Sequence, residues 1–210
     1  MSQPDTIILD IANGVTQVRI GYGILADRKT FDGQAGQRTR ALVVSDDNVA
    51  PLYADRVVES MNASGISTRL VVVAAGEASK SLREAERLYG ESADWRVGRD
   101  GILVSVGGGM VSDLTGFVAA TWLRGIPTIL CPTTLEADID ASIGGKTGVN
   151  HQAGKNLIGA FHHPKLVVVD VACLRTLSQR DLVAGMAESI KHAAIDGDEF
   201  MSWHEENVEA

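Results

Sequence analysis

Three consecutive glycines, Gly107-Gly108-Gly109, stand between the apolar run Gly101-Ile-Leu-Val-Ser-Val106 and a stretch of helical character. At a strand-to-helix junction, glycines let backbone N–H groups approach a pyrophosphate, and the helix start offers a dipole that favours negative charge. A tight turn accounts for one glycine but not for three, so phosphate binding is the preferred reading. The spacing is not G-x-G-x-x-G, which argues against an ordinary Rossmann dehydrogenase. Pro132-Thr133-Thr134-Leu135 follows another apolar run, and its hydroxyls suit either a ligand at the strand ends or a helix cap. Between Asp138 and Asn156 lie Asp140, Lys146, Asn150, Lys155 and four glycines with few apolar residues, the make-up of a polar, phosphate-handling loop or of an ordinary solvated one. Glu188 and Lys191, three apart, share a helix face and could both enter a cleft, although spacing alone fits a surface ion pair better. Ala187, Ile190 and Ala194 around them favour a drier setting. Glu188 with His192 is the one histidine pairing at helical ligand spacing. His162 and His163 are adjacent, and His151 and His204 stand alone, so no complete metal site is read within the chain.

The elements that must position these groups alternate. Thr6–Ile11 and Val15–Ile20 flank Asn13-Gly14, a hairpin signature. Buried strands are predicted at Ala41–Val44, Thr68–Val73, Gly101–Val106, Thr128–Cys131 and Leu166–Asp170. Helices are predicted from about Val49 to Ser64, Ser81 to Trp95 and Val111 to Trp122. Short apolar strands separated by helices imply crossover units and a mostly parallel sheet covered on both faces. After Leu177 the alternation stops. Ser178 is a candidate N-cap for a helix to about Ala194 with Leu182, Val183, Met186 and Ile190 on one stripe, and Asp198–Glu209 forms a further helix. The fold expected is therefore α/β, a Rossmann-like mostly parallel sheet domain over 1–177 followed by the start of an all-helical domain over 178–210.

Composition supports a globular chain: 210 residues, 45% hydrophobic and 22% charged. A net charge of -8 with no basic cluster makes nucleic acid a poor partner. No apolar run approaches the roughly 20 residues of a membrane helix, and the N-terminus lacks the layout of a secretory signal, so a cytoplasmic protein is expected. Cys131 and Cys173, the only cysteines, are expected to pack in the core as free thiols.

The stretches Gly107–Asp113, Phe117–Gly125, Pro132–Thr134, Asp140–Thr147, Gly154–Phe161 and Gly185–Lys191 together resemble 3-dehydroquinate synthase, and the likeness extends over nearly the whole chain from Ala41. The resemblance implies an NAD-binding α/β domain, a helical domain, and an active site between them. It implies NAD and a divalent metal, zinc or cobalt, used to convert 3-deoxy-D-arabino-heptulosonate 7-phosphate into 3-dehydroquinate and phosphate in the shikimate route. On this basis Asp46, Asn48, Glu77, Lys80, Gly108, Gly109, Asp113, Thr133, Thr134, Lys146, Lys155, Cys173 and Thr176 are expected on the cofactor. Asp140, Lys146, Asn156 and Lys191 are expected to face a sugar phosphate substrate, and Glu188 to be the first metal ligand. Arg124 would reach the substrate phosphate of a neighbouring subunit, which implies a homodimer. Two departures from the family pattern stand out: Ser112 replaces a usual glycine, and Glu136 and Asp138 replace apolar or neutral residues.

The family's two histidine ligands would lie beyond residue 210, so the chain is expected to be part of a longer protein and inactive alone. Three other readings stay open: a related cyclase making inosose or valiolone rings, a glycerol-dehydrogenase-like NAD enzyme, and a non-catalytic NAD-binding module.

Overall fold

The structure, a computed structural model, describes residues 4–11, 14–34 and 40–207. Strands β1 (Asp5–Ile11) and β2 (Gly14–Gly21) pair antiparallel from Asp5 with Ile20 to Ile11 with Gly14. The expected hairpin forms, although its turn residue Asn13 lies outside the described residues. The alternating part follows as β3 (Arg40–Asp46), α1 (Asp55–Ala63), β4 (Ser67–Val73), α2 (Leu82–Asp94), β5 (Ile102–Gly107), α3 (Gly109–Thr121) and β6 (Thr128–Pro132). Then come β7 (Lys146–His151), β8 (Gly154–Phe161), β9 (Leu166–Asp170), α4 (Gln179–Asp196) and α5 (Asp198–Asn207).

Seven strands form one sheet in the order β1-β2-β9-β6-β5-β3-β4. Only β1 runs antiparallel to its neighbour. Successive side chains of a strand point to opposite faces, and the central strands β3, β5, β6 and β9 bury both, whereas β4, expected to be buried, lies at the edge with Val72 exposed. Ala41, Val43, Val104 and Val106 pack with Val57 and Met61 of α1 on one face. Leu42, Val44 and Leu103 pack with Leu88 of α2 and Val111 and Leu114 of α3 on the other. Each such buried side chain contributes roughly 1.5–3 kcal/mol relative to exposure. The helix starts follow local chemistry. The Ser81 hydroxyl accepts from Glu84 N at 3.3 Å to open α2, and that of Ser178 accepts from Asp181 N at 3.1 Å to open α4.

The position of β3 decides where a ligand can go. β4 lies on one side of it and β5 on the other, so the winding reverses there, and the ends of β3 and β5 diverge into a crevice of the kind in which open α/β sheets take ligands.

From Lys146 onward, the stretch read as a polar loop is instead the hairpin β7–β8, laid over α3. Val149 is fully buried with Val111 and Leu114, and Ile158 packs against that cluster. Gly148 and Gly159 face each other across the hairpin, and a Cβ on Gly148 would stand 2.8 Å from the Ile158 carbonyl oxygen. The closest pairing thus uses residues without side chains, which removes the apolar alternation by which a strand is recognised.

Candidate active site

A cleft of about 1280 Å³ opens along the ends of β3, β5 and β6. Gly108, Gly109 and Met110 line it at the start of α3, where no side chain caps the helix. The first N–H groups of that helix are therefore left to a ligand, and an anion suits them. Packing also leaves little room for side chains here, least at Gly107. A Cβ on Gly107 would stand 2.8 Å from Val111 Cγ2, one on Gly108 3.3 Å from Thr134 Cγ2, and one on Gly109 3.2 Å from Ala141 Cβ. Ser112, the departure from the family glycine, is buried with its hydroxyl 3.5 Å from that of Ser105.

On one wall, Asp46 is 7% exposed, and its Oδ1 accepts from Asn48 N at 2.9 Å and Val49 N at 3.0 Å. Next to it stand Glu77 and Lys80. Lys80 is only 5% exposed and is ion-paired with Asp113. Burial pushes the Asp113 carboxyl above the usual carboxylate range, against the hydrogen bond and charge of Lys80. Thr133 and Thr134 line the cleft beyond them, and the buried Thr133 Oγ1 has no hydrogen-bond partner among the described residues. Thr134 Oγ1 accepts from Ala137 N at 3.2 Å, so this hydroxyl also caps the helical turn that follows.

That turn, Ala137–Ala141, lifts Asp140 into the cleft. Lys146 Nζ lies 3.3 Å and Lys191 Nζ 3.5 Å from Asp140 Oδ1, and Lys191 also bonds Glu188. Partial burial works against the Asp140 charge, but Lys146 and then Lys191 outweigh it and hold the carboxyl below its usual range. The hydrogen bond to Glu188 raises the Lys191 ammonium. Helix α4 can approach because position 185 is glycine: a Cβ there would stand 2.7 Å from Leu135 Cβ and 2.8 Å from Glu136 N. On the outer wall, β7 and β8 supply Lys146, Lys155 and Asn156. Lys146, Lys191, Asp140 and Glu188 thus form one charged cluster, in which Glu188 is part-buried.

Asp140, Glu188 and His192 each offer a ligand atom, all within 4.8 Å of one another. His192 Nε2 is buried without a hydrogen-bond partner among the described residues. Carboxylate oxygen and imidazole nitrogen suit zinc and similar dications, so these residues fit a divalent metal. The sequence reading named Glu188 alone. The helical spacing of Glu188 and His192 was the available signal, and the contribution of Asp140 depends on a chain reversal that spacing does not reveal.

Of the expected site residues, Glu188 and Lys191 join the cleft lining only through Asp140, while Cys173, and Arg124, which is expected to serve a neighbouring subunit, do not line it. Arg124 is exposed just past the far end of α3, whose 13 residues span about 20 Å from the cleft. The Cys173 side chain is packed in the core, where burial pushes its thiol up to about 12. Only the Cys173 carbonyl comes near the site, accepting from Tyr53 Oη at 3.3 Å, and Tyr53 in turn meets Thr176 Oγ1 at 2.6 Å on the cleft wall. Cys131 is likewise a buried free thiol.

The 3-dehydroquinate synthase N-terminal family pattern matches residues 70–184. A 3-dehydroquinate synthase of Desulforamulus reducens is 45% identical over 202 residues, 96% of this chain and 56% of that protein. That of Symbiobacterium thermophilum is 49% identical over 192 residues, 91% of this chain and 54% of that protein. The chain thus spans about half the length of the curated relatives it matches. Among solved structures, 2-deoxy-scyllo-inosose synthase complexed with carbaglucose-6-phosphate, NAD+ and Co2+ superposes with a TM-score of 0.84 at 26% identity, covering 89% of this chain and 51% of that one. The 2-epi-5-epi-valiolone synthase ValA of Streptomyces hygroscopicus, with NAD+ and Zn2+ bound, gives 0.75 at 29% identity, covering 88% and 50%. The family pattern runs from β4 through the triglycine turn and the Asp140 segment into α4, and with relatives matched over nine-tenths of its length the chain belongs to the 3-dehydroquinate synthase family.

Proposed function

We propose that this chain supplies the cofactor-binding half, and the first wall of the active site, of an enzyme that converts 3-deoxy-D-arabino-heptulosonate 7-phosphate into 3-dehydroquinate and phosphate. The observation that carries the reading is the cluster in which Asp140 and Lys146, which line the strand-end cleft, pair with each other while Lys191 bonds both Asp140 and Glu188. In this reading residues 1–177 are the NAD domain and 178–210 begin the helical one.

Asp46, Asn48, Glu77 and Lys80 hold the adenosine and ribose side of NAD, and Gly108, Gly109 and the start of α3 take the pyrophosphate. Asp113, Thr133, Thr134, Lys155 and Thr176 continue that wall, with Cys173 supporting it through its carbonyl. NAD, when bound, supplies a hydride acceptor for transient oxidation of a secondary alcohol. Glu188 holds a divalent metal, zinc or cobalt, which when bound polarises the substrate hydroxyl. Asp140 and His192 stand within reach of the same ion. Lys146 and Lys191 place positive charge opposite the carboxylate and phosphate of the substrate, and Asn156 offers an amide to its hydroxyls. Asp140, kept ionised by its two lysines, can accept a hydrogen bond from a substrate hydroxyl and orient it. Arg124, away from its own cleft, serves the neighbouring subunit of a homodimer. No helix is long and apolar enough to cross a membrane among the described residues, and a cytoplasmic site of action is part of the proposal.

The test is phosphate release from the heptulosonate phosphate. The chain alone should bind NAD+ without turnover, and should release phosphate once the C-terminal half of a family member is restored. Preference for another sugar phosphate would move the assignment to an inosose or valiolone cyclase. Net accumulation of NADH with a polyol would move it to a dehydrogenase, and NAD+ binding with no turnover in the restored enzyme to a binding module.

A further inference from the structure

Asn150, near the end of β7, touches both sides of the cleft without lining it. Its Nδ2 donates to Glu77 Oε1 at 2.7 Å, and its Oδ1 accepts from Asn156 N at 2.9 Å. Its own backbone N–H donates to the Lys80 carbonyl at 2.8 Å, and the residue forms an isolated bridge with Ser81. One planar amide therefore joins the loop that carries Glu77 and Lys80 to the strand that carries Asn156. The orientation of the amide is fixed by chemistry: a carboxylate needs a donor and a backbone N–H needs an acceptor, so a flipped amide would lose both bonds. Aspartate matches the size of this side chain but lacks the donor. The bond to Asn156 has a further effect. Asn156 sits at φ +57, a left-handed conformation that asparagine enters more readily than most residues with a side chain, and the Asn150 oxygen accepts its N–H in that geometry.

We propose that Asn150 is a positioning residue that ties the ribose-side carboxylate Glu77 to the substrate-side amide Asn156, so that occupation of the dinucleotide cradle sets the geometry of the outer wall. The proposal rests on reading Glu77 and Lys80 as cofactor residues and Asn156 as a substrate residue. It departs from a purely structural role in one respect: the two arms of the amide can be cut separately.

The experiment uses the 210-residue chain with two variants and two readouts, NAD+ affinity by calorimetry and hydrogen exchange at the Asn156 amide. Asn150→Asp keeps the acceptor for Asn156 and sets a carboxylate against Glu77. It should leave the Asn156 amide slow to exchange and weaken NAD+ about tenfold, the worth of one hydrogen bond to a charged group. Asn150→Ala cuts both arms and should accelerate Asn156 exchange as well as weaken NAD+ about tenfold. A general loss of fold would move amides throughout the sheet in both variants and would not produce this split. Equal Asn156 exchange in the two variants, or NAD+ affinity within about twofold of the unaltered chain in both, overturns the proposal. If the unaltered chain binds no NAD+, the cofactor reading fails instead, and the exchange comparison still decides whether Asn150 holds Asn156.

Discussion

Asp138 is 8% exposed, and its Oδ1 has no hydrogen-bond partner among the described residues. Burial, and then the charge of Asp170, pushes its carboxyl up to about 8. The folded chain thus holds a proton that the unfolded chain releases near the ordinary carboxylate value of 3.8. This contribution to stability is fully present below that value, shrinks as pH rises towards 8, and is gone above it. The slope is at most about 1.4 kcal/mol per pH unit. Asp138→Asn keeps the shape without the ionisation, so urea denaturation across this window should show a flatter pH dependence than the parent and greater stability at the alkaline end. Identical slopes would mean that Asp138 is already charged in the fold. Lys80 presents the converse case. Lys80→Met would strand the Asp113 charge in a largely buried site and should cost about 3 kcal/mol, with Lys80→Met/Asp113→Asn recovering part of it in the same denaturation measurement. The identity of Asp138 was visible in the sequence as an acid among neutral family positions. Its burial was not, because that follows from how the Ala137–Ala141 turn seats against the sheet.

At the scale of elements, the central strands and the helices between them were legible because each buries a continuous apolar set on two faces, and Ser178 was legible as a cap because it precedes a periodic run. The hairpin β7–β8 was hidden by its own glycines. Helix α4 was read as burying a stripe, yet Val183 and Ile190 are 57% and 48% exposed, and its docking rests on Gly185 instead. Gly185→Ala would push a methyl group into Leu135 and the Glu136 backbone. It should cost about 1–3 kcal/mol and withdraw Glu188 and His192 from Asp140. Thermal denaturation should report the first effect and weakened Co2+ binding the second. A variant that keeps both the melting temperature and cobalt affinity would show that α4 seats without this contact.

For the whole molecule, binding to the folded state alone raises stability by mass action. NAD+ at a hundred times its dissociation constant should stabilise the chain by about 2.7 kcal/mol, a rise of roughly 5–10 °C in Tm for a chain of this size. Calorimetric scans with and without NAD+ check this, and an unmoved Tm would count against the cradle being formed in this half. Which end of the sheet holds the site could be argued from the triglycine motif. Which side chains meet there is not given by spacing: only the family resemblance groups Asp140, Lys146 and Lys191, which come from a turn, a hairpin and a helix whose mutual placement is set by packing.

The reversal of strand order at β3 has a consequence for motion. The strand ends along the cleft are hydrogen-bonded to one another through the sheet, whereas Glu188 belongs to a helix that meets the Ala137–Ala141 turn through the close approach at Gly185 and the Lys191–Asp140 ion pair. If NAD lies on those strand ends as proposed, a movement of α4 would change the Glu188 wall and leave the hydrogen-bonded floor of the cradle as it is.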